Sequence, residues 1–208
     1  MDFCSEKNKV REIKRPWLND NYINKTNILS NMKQCLNLGS GRDIKNGNKD
    51  EKWINQDIFQ FEGIDDVFDF NKFPWKYKDN YFDEVRIWNC LFLVKDFVKF
   101  MEEVYRISKN NTKIIIQTQF FLSPESANYP YNPTQTNFNS FDIFLKDGEF
   151  NIKTGVEFII IKRKWIFSEN RFLSKFDPIP NIFPKFYGRF LYFYFPSNKL
   201  YFELQVVK

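Results

Sequence analysis

From residue 34 onward, short apolar runs alternate with polar stretches that carry chain breakers. Gln34–Leu38 is a brief apolar run that ends on glycine, as a buried strand does. Lys52–Asp57 (KWINQD) and Ile64–Phe70 (IDDVFDF, followed by Pro74) read as a second and third strand, and Asp83–Trp88 (DEVRIW) as a fourth. Lys95–Ser108 sets Phe97, Phe100, Met101, Val104 and Ile107 at helical spacing with polar residues between them. Asn110-Asn111 marks a turn, and Lys113–Phe120 (KIIIQTQF) is a fifth, β-branched strand. Strands interleaved with helices or short loops predict an α/β fold with a mostly parallel sheet.

The tail has a different pattern. Val156–Phe167 and Lys199–Lys208 read as two long strands. In the second, Leu200, Phe202, Leu204 and Val206 share one face, as in an antiparallel strand with one wet side. A connection rich in proline (Pro178, Pro180, Pro184, Pro196) joins them and encloses a basic-aromatic stretch, Lys185–Phe195. Residues 1–33 are polar and basic, interrupted by Pro16-Trp17, and read as a helical or irregular lead-in. The simplest organisation is one domain over 1–208: the lead-in 1–33, a core over 34–150, and C-terminal strands with their basic-aromatic insertion over 151–208.

Composition narrows the chemistry. The chain has 208 residues, 43% apolar and 27% charged, which fits one ordinary globular domain. Its 26 Phe, with abundant Asn, Lys and Ile beside only 7 Gly, match the codon usage of an AT-rich genome. Three scattered cysteines (Cys4, Cys35, Cys90) and the absence of histidine argue against a zinc site, so no metal is expected. The same composition excludes Ser-His-Asp and Cys-His nucleophilic machinery. Sparse, odd cysteines and an N-terminus without an apolar signal region point to a reducing, cytoplasmic setting. The run Phe190–Phe195 is too short to span a bilayer. Net charge is +5, and residues 151–208 hold ten basic against four acidic side chains. That quarter suits an anionic partner such as nucleic acid, a phosphorylated sugar or a membrane surface, or simply forms a solvated basic rim.

Candidate chemistry gathers at strand ends. Gly39-Ser40-Gly41 follows the first strand, where ligands of doubly wound sheets bind, but Ile44 breaks the dinucleotide G-x-G-x-x-G pattern. Asp57 closes the second strand, where a carboxylate can accept from both hydroxyls of a ribose. Asp69, with Phe70 after it, stands at the end of the third, where a carboxylate can meet an adenine amino group and an apolar neighbour can cover the ring. Each Asp alone reads first as a loop or cap residue; their joint placement is what carries weight.

These motifs together resemble a known family. CLNLGSG, WINQD, VFDFNKFPW and NYFDEVRIWNCLFLVKDFVKFMEEVYRISKNNTKIII look like class I S-adenosylmethionine (SAM)-dependent methyltransferases, and more narrowly their compact, type 11-like branch. Glu103 and Arg106–Lys109 match that branch's E-x-x-R helix, Asn132–Phe138 its D-P-T-H segment, and FPSNKLYFELQVVK its closing strand. The resemblance implies a Rossmann-like α/β fold: a central, mostly parallel seven-stranded sheet, an antiparallel last strand, and helices on both faces. It implies SAM as cofactor. Gly39, Ser40 and Gly41 would lie against its methionine end, Asp57 at the ribose, and Asp69 with Phe70 at the adenine, with Ile58 also among the cofactor-binding residues. Trp88 and Asn89 would line the methionine portion.

The chain also departs from the family. Leu91-Phe92-Leu93 stands where relatives carry Leu-Glu-His, Asn110-Asn111 replaces a Gly-Gly turn, and Gln135 replaces the histidine of P-T-H. Asparagine tolerates left-handed dihedrals, so the turn can survive. Gly41–Lys52 leaves room for a turn rather than the usual helix after the glycine loop. Glu125, Tyr129 and Asp142 follow the fifth strand, where substrate loops project, without any of them standing out as a base. Three functions fit. One is methyl transfer by in-line displacement to a small molecule or glycan. The second is methylation of a nucleic acid held by the basic part around Lys162–Trp165 and Lys185–Phe195, although strand alternation places many of those aromatics in the core. The third is a non-catalytic binding protein on the same fold. Acceptor and oligomeric state are not readable from sequence.

Overall fold

The computed structural model describes residues 32–146, 154–168, 170 and 172–208. The described residues from 33 to 208 belong to one compact unit. The lead-in expected over 1–33 falls almost wholly outside the described residues.

Seven strands make one sheet: β1 (Lys33–Leu38), β2 (Glu51–Asp57), β3 (Asp66–Val67), β4 (Phe82–Trp88), β5 (Ser108–Gln119), β6 (Glu157–Ile166) and β7 (Lys199–Val207). Their order is β3-β2-β1-β4-β5-β7-β6. The first five pair in parallel, and β7 runs antiparallel between β5 and β6. The strand order reverses between β1 and β4, so the carboxyl ends of β1, β2 and β4 open a crevice at the switch point.

The two faces differ because alternate residues point opposite ways. Leu36, Leu38, Val85, Ile87, Ile114, Ile116, Phe202 and Leu204 are all fully buried and belong to one core cluster. Helix α1 (Phe97–Ile107) adds Phe100, Met101, Val104 and Ile107 to that cluster, as its apolar spacing requires. Asp96 caps α1 by accepting from the Lys99 amide at 3.0 Å. Glu103 and Arg106 of α1 tie down the loop ahead of β4. Glu103 accepts from the Trp75 amide at 2.6 Å, and Arg106 donates to the carbonyls of Tyr77 and Trp75. The opposite face is polar, with Asn55, Asn37, Arg86, Ile115, Glu203 and Lys162 at successive register positions from β2 to β6.

Two elements depart from the sequence pattern. Only Asp66–Val67 of the expected strand 64–70 pairs, opposite Gln56 and Asp57. Beyond it the chain turns inward: Phe70 is buried, and the Asp69 carboxylate accepts from the Asn71 amide at 2.9 Å, closing a turn. The Asn110-Asn111 turn lies inside the span of β5 as a kink. Asn111 takes φ +65°, and pairing with β4 jumps from Phe82–Ser108 to Glu84–Lys113.

Candidate cofactor and acceptor site

The glycine loop is shaped by its neighbours. Gly39 and Gly41 take φ of +59° and +52°, a region in which L side chains are strained. A Cβ on Gly39 would lie 2.7 Å from the Cys90 Sγ, whereas one on Gly41 would meet nothing within 4 Å. Gly39 is therefore pressed against the loop that follows β4, and Gly41 faces open space. Cys90 reinforces the contact by donating from its thiol to the Leu38 carbonyl at 3.3 Å.

Three consecutive side chains at the end of β2 hold the loop from the other side. Asn55 accepts from the Lys45 amide (2.8 Å) and from Asn37 Nδ2 (3.0 Å), and donates to the Lys45 carbonyl (3.0 Å). Gln56, fully buried, accepts from the Gly39 amide (3.1 Å) and donates to the Phe68 carbonyl (2.5 Å). Asp57 accepts from the Gly41 amide (2.8 Å) through one oxygen and from the Phe59 amide (3.0 Å) through the other. Each carboxylate oxygen keeps a lone pair for a further donor. The Ser40 hydroxyl is buried and has no partner.

Residues 42–50 form an irregular loop where a helix commonly follows such a glycine turn. Arg86 secures it by donating to Asn37 Oδ1 (2.9 Å) and Asp43 Oδ2 (2.6 Å), with its guanidinium 4.2 Å over the Trp88 ring.

The expected site residues divide into groups. Gly39, Ser40, Gly41 and Asp57 converge at neighbouring strand ends. Ile58 is 52% exposed beside Asp57 and forms an apolar rim with Phe59 and Val67. Phe70 is buried against Phe100 with ring centroids 5.6 Å apart and lies beside Gly39. Asp69 lies two residues beyond the short β3. Trp88 stacks on Arg86 and meets Tyr201 edge-on at 6.4 Å, on the polar face of the sheet. Asn89 takes φ +54° and accepts from Gln117 Nε2 at 3.3 Å.

Asn89 also opens a second space. A cavity of about 500 Å³ is lined by Asn89, Phe92, Gln119, Glu125, Asn128, Tyr129 and Lys199. It sits where β4 and β5 end and β7 begins, floored in part by the short helix α2 (Pro124–Ala127). Lys199 Nζ lies 3.7 Å from the Glu125 carboxylate. The buried Gln119 Oε1 has no partner. The Tyr129 and Phe92 rings stand 5.0 Å apart. Of the three candidate bases, Glu125 and Tyr129 share this cavity. Asp142 instead pairs with Arg163 (2.6 Å) beside a separate cavity of about 840 Å³. Gln135 points to solvent. Burial pushes the Cys35 and Cys90 thiols up to about 12, so both stay protonated and neither is a nucleophile.

Sequence reasoning missed Gln56, Asn55, Cys90 and Lys199. A signal existed for the first two: three polar residues in a row, N-Q-D, close a strand.

No protein-family model and no curated protein matches this sequence. Solved structures do match in three dimensions. A SAM-dependent methyltransferase from Archaeoglobus fulgidus aligns over 89% of this chain and 91% of its own, with TM-score 0.55 and 14% identity. A putative SAM-dependent methyltransferase from Listeria monocytogenes aligns over 90% and 98%, at TM-score 0.54 and 11% identity. The chain has the class I SAM-dependent methyltransferase fold. A phosphoethanolamine N-methyltransferase 2 from Haemonchus contortus, solved with phosphomonomethylethanolamine and S-adenosylhomocysteine, matches at TM-score 0.54 and 16% identity. The present chain spans 52% of that enzyme's length.

Proposed function

We propose that this protein is a SAM-dependent methyltransferase acting on a small molecule or glycan. The observation that carries the reading is the joint geometry of two spaces. A glycine loop open at Gly41 faces the Asp57 carboxylate, and Cys90, packed on Gly39, is directly preceded in the chain by Asn89, which lines the polar cavity. The residues present fit the cofactor. Asp57 retains acceptor capacity for ribose hydroxyls, the buried Ser40 hydroxyl awaits a partner, and Ile58 offers an apolar cover for a flat ring. Bound there, SAM supplies an electrophilic methyl group on a sulfonium.

The chain's own groups then act on the acceptor. Alignment in a near-attack geometry is the main task in such a displacement. Gln119 and Lys199 orient polar groups of the acceptor from the floor of the cavity, and the Phe92–Tyr129 pair bounds it on an apolar side. Glu125 accepts the proton that the acceptor atom loses, with Lys199 steadying the carboxylate. A cavity of about 500 Å³ suits a compact acceptor or a single sugar unit.

Titration calorimetry with S-adenosylhomocysteine tests the reading. Wild type should bind, and Asp57→Asn, which keeps one of the two acceptor oxygens that hold the Gly41 and Phe59 amides, should bind at least tenfold more weakly with an unchanged circular dichroism spectrum. Absence of any heat at millimolar S-adenosylhomocysteine would sink the proposal.

A further inference from the structure

The segment Phe172–Phe195 carries features that neither the crevice nor the acceptor cavity uses. Its inner side is firmly held. Asn181 accepts from the Trp165 amide (2.9 Å) and donates to the Trp165 carbonyl (2.7 Å), as a neighbouring strand would. Asp177 accepts from the Phe167 amide at 2.7 Å. Tyr187 is buried with its ring 5.1 Å from that of Trp165.

The outer side is the reverse of an ordinary solvated surface. Ile182, Phe183, Phe186, Phe190, Phe193 and Phe195 stand between 53% and 70% exposed. Strand alternation predicts many aromatics of Lys162–Trp165 and Lys185–Phe195 in the core; Trp165 and Tyr187 are buried, but Phe186, Phe190, Phe193, Tyr194 and Phe195 are exposed. Apart from the Tyr194 hydroxyl, the exposed polar side chains from Phe172 to Phe195 are Lys175, Lys185 and Arg189. Among the described residues none of the three pairs with a carboxylate, and Asp177, the single acid of the segment, is committed to Phe167.

Apolar surface of this extent on a soluble face marks a docking surface. Its chemistry selects the occupant. A nucleic acid would use the cations and some rings, but Ile179 and Ile182 have no stacking face. Exposed phenylalanine and isoleucine interspersed with Lys and Arg, two of them resting on the Phe172 and Phe190 rings, match a lipid headgroup boundary, where apolar groups sink below the phosphates and cations lie among them. None of the described helices is long and apolar enough to cross a membrane, so the segment would lie on the surface. We propose that the Phe172–Phe195 face docks the protein on an anionic lipid surface. This inference stands apart from the methyltransferase reading and needs no cofactor.

Vesicle co-sedimentation of the full chain tests it. Vesicles of phosphatidylcholine and phosphatidylserine in equal parts should pellet the protein, phosphatidylcholine alone should pellet far less, and added salt should weaken the difference. Lys185→Gln with Arg189→Gln should lower affinity about fivefold for each charge removed. Phe183→Ser with Phe190→Ser should lower it more than tenfold while leaving the thermal midpoint and S-adenosylhomocysteine binding unchanged, since both rings face solvent. Failure to bind any vesicle, or undiminished binding by the phenylalanine variant, overturns the proposal. Self-association or RNA binding that those variants abolish, without vesicle binding, would likewise overturn it and assign the face to a second copy or to nucleic acid.

Discussion

Alanine at Gly39 would meet two penalties at once, whereas alanine at Gly41 would meet one. Both positions sit near φ +50 to +60°, where an L side chain costs about 1–2 kcal/mol relative to glycine. At Gly41 nothing else opposes the added methyl, because its Cβ has no neighbour within 4 Å. At Gly39 the methyl would come 2.7 and 2.8 Å from the Sγ and Cβ of Cys90 and 3.3 Å from the Phe70 ring. Cys90 is buried and bonded to Leu38, and Phe70 packs on Phe100, so neither can swing aside. Overpacking of that kind adds about 1–3 kcal/mol. Gly39→Ala should therefore cost roughly 2–5 kcal/mol in all. For a domain of this size the loss lowers the melting temperature by about 2–4 °C for each kcal/mol. Urea unfolding and calorimetric melting of the two single variants measure the difference directly. If Gly39→Ala proves as stable as Gly41→Ala, the close packing of the β1 and β4 loops is refuted. Cofactor affinity gives a second reading of the same geometry. Gly41→Ala places its methyl in the open space proposed for the ligand, so it should weaken S-adenosylhomocysteine binding with only a small loss of stability.

Two further predictions concern buried groups. Gln56→Leu fills the same space but leaves the Gly39 amide and the Phe68 carbonyl without partners, at about 1–3 kcal/mol for each. The urea midpoint should fall accordingly, and amide exchange at Gly39 should quicken; a midpoint equal to wild type would contradict this role. The thiols of Cys35 and Cys90 have folded pKa values raised by burial from 9.0 to about 12. Their contribution to stability is thus full below pH 9 and is lost as the pH rises toward 12. In a Cys4→Ser background, neither should react with a soluble disulfide reagent in native protein at pH 8, and both should react in urea. Rapid labelling of the native protein would refute their burial.

The sequence was most legible where a local rule and the tertiary demand coincide. The spacing of Phe97, Phe100, Met101, Val104 and Ile107 predicts a helix, and the same residues supply its buried face. The alternation of Leu200, Phe202, Leu204 and Val206 predicts a strand with one wet side, and β7 has that form. The glycine loop and Asp57 are legible as candidates because both sit at strand ends, and strand ends follow from pattern. Legibility failed where a side chain's direction depends on a distant partner. The burial of Phe70 depends on Phe100 and on the space beside Gly39, neither of which its local sequence contains. The strand expected over 64–70 shrinks to two residues because Gln56 takes the Phe68 carbonyl and Asp69 closes a turn.

The sequence by itself determined the alternation of strands and helix, the helix α1, the antiparallel close of the sheet, and the positions where glycine and carboxylate meet a crevice. Those features depend on side-chain periodicity and on backbone preference, which are properties of neighbouring residues. Tertiary structure alone decided which residues confront each other across long gaps: Cys90 against Gly39, Gln56 beneath the loop, and Glu125 beside Lys199. It also decided that Tyr187 is covered while Phe186 and Phe190 are bare. The physical reason is that burial is set by what packs on a surface, and a run of equally apolar residues contains no record of which side meets the sheet.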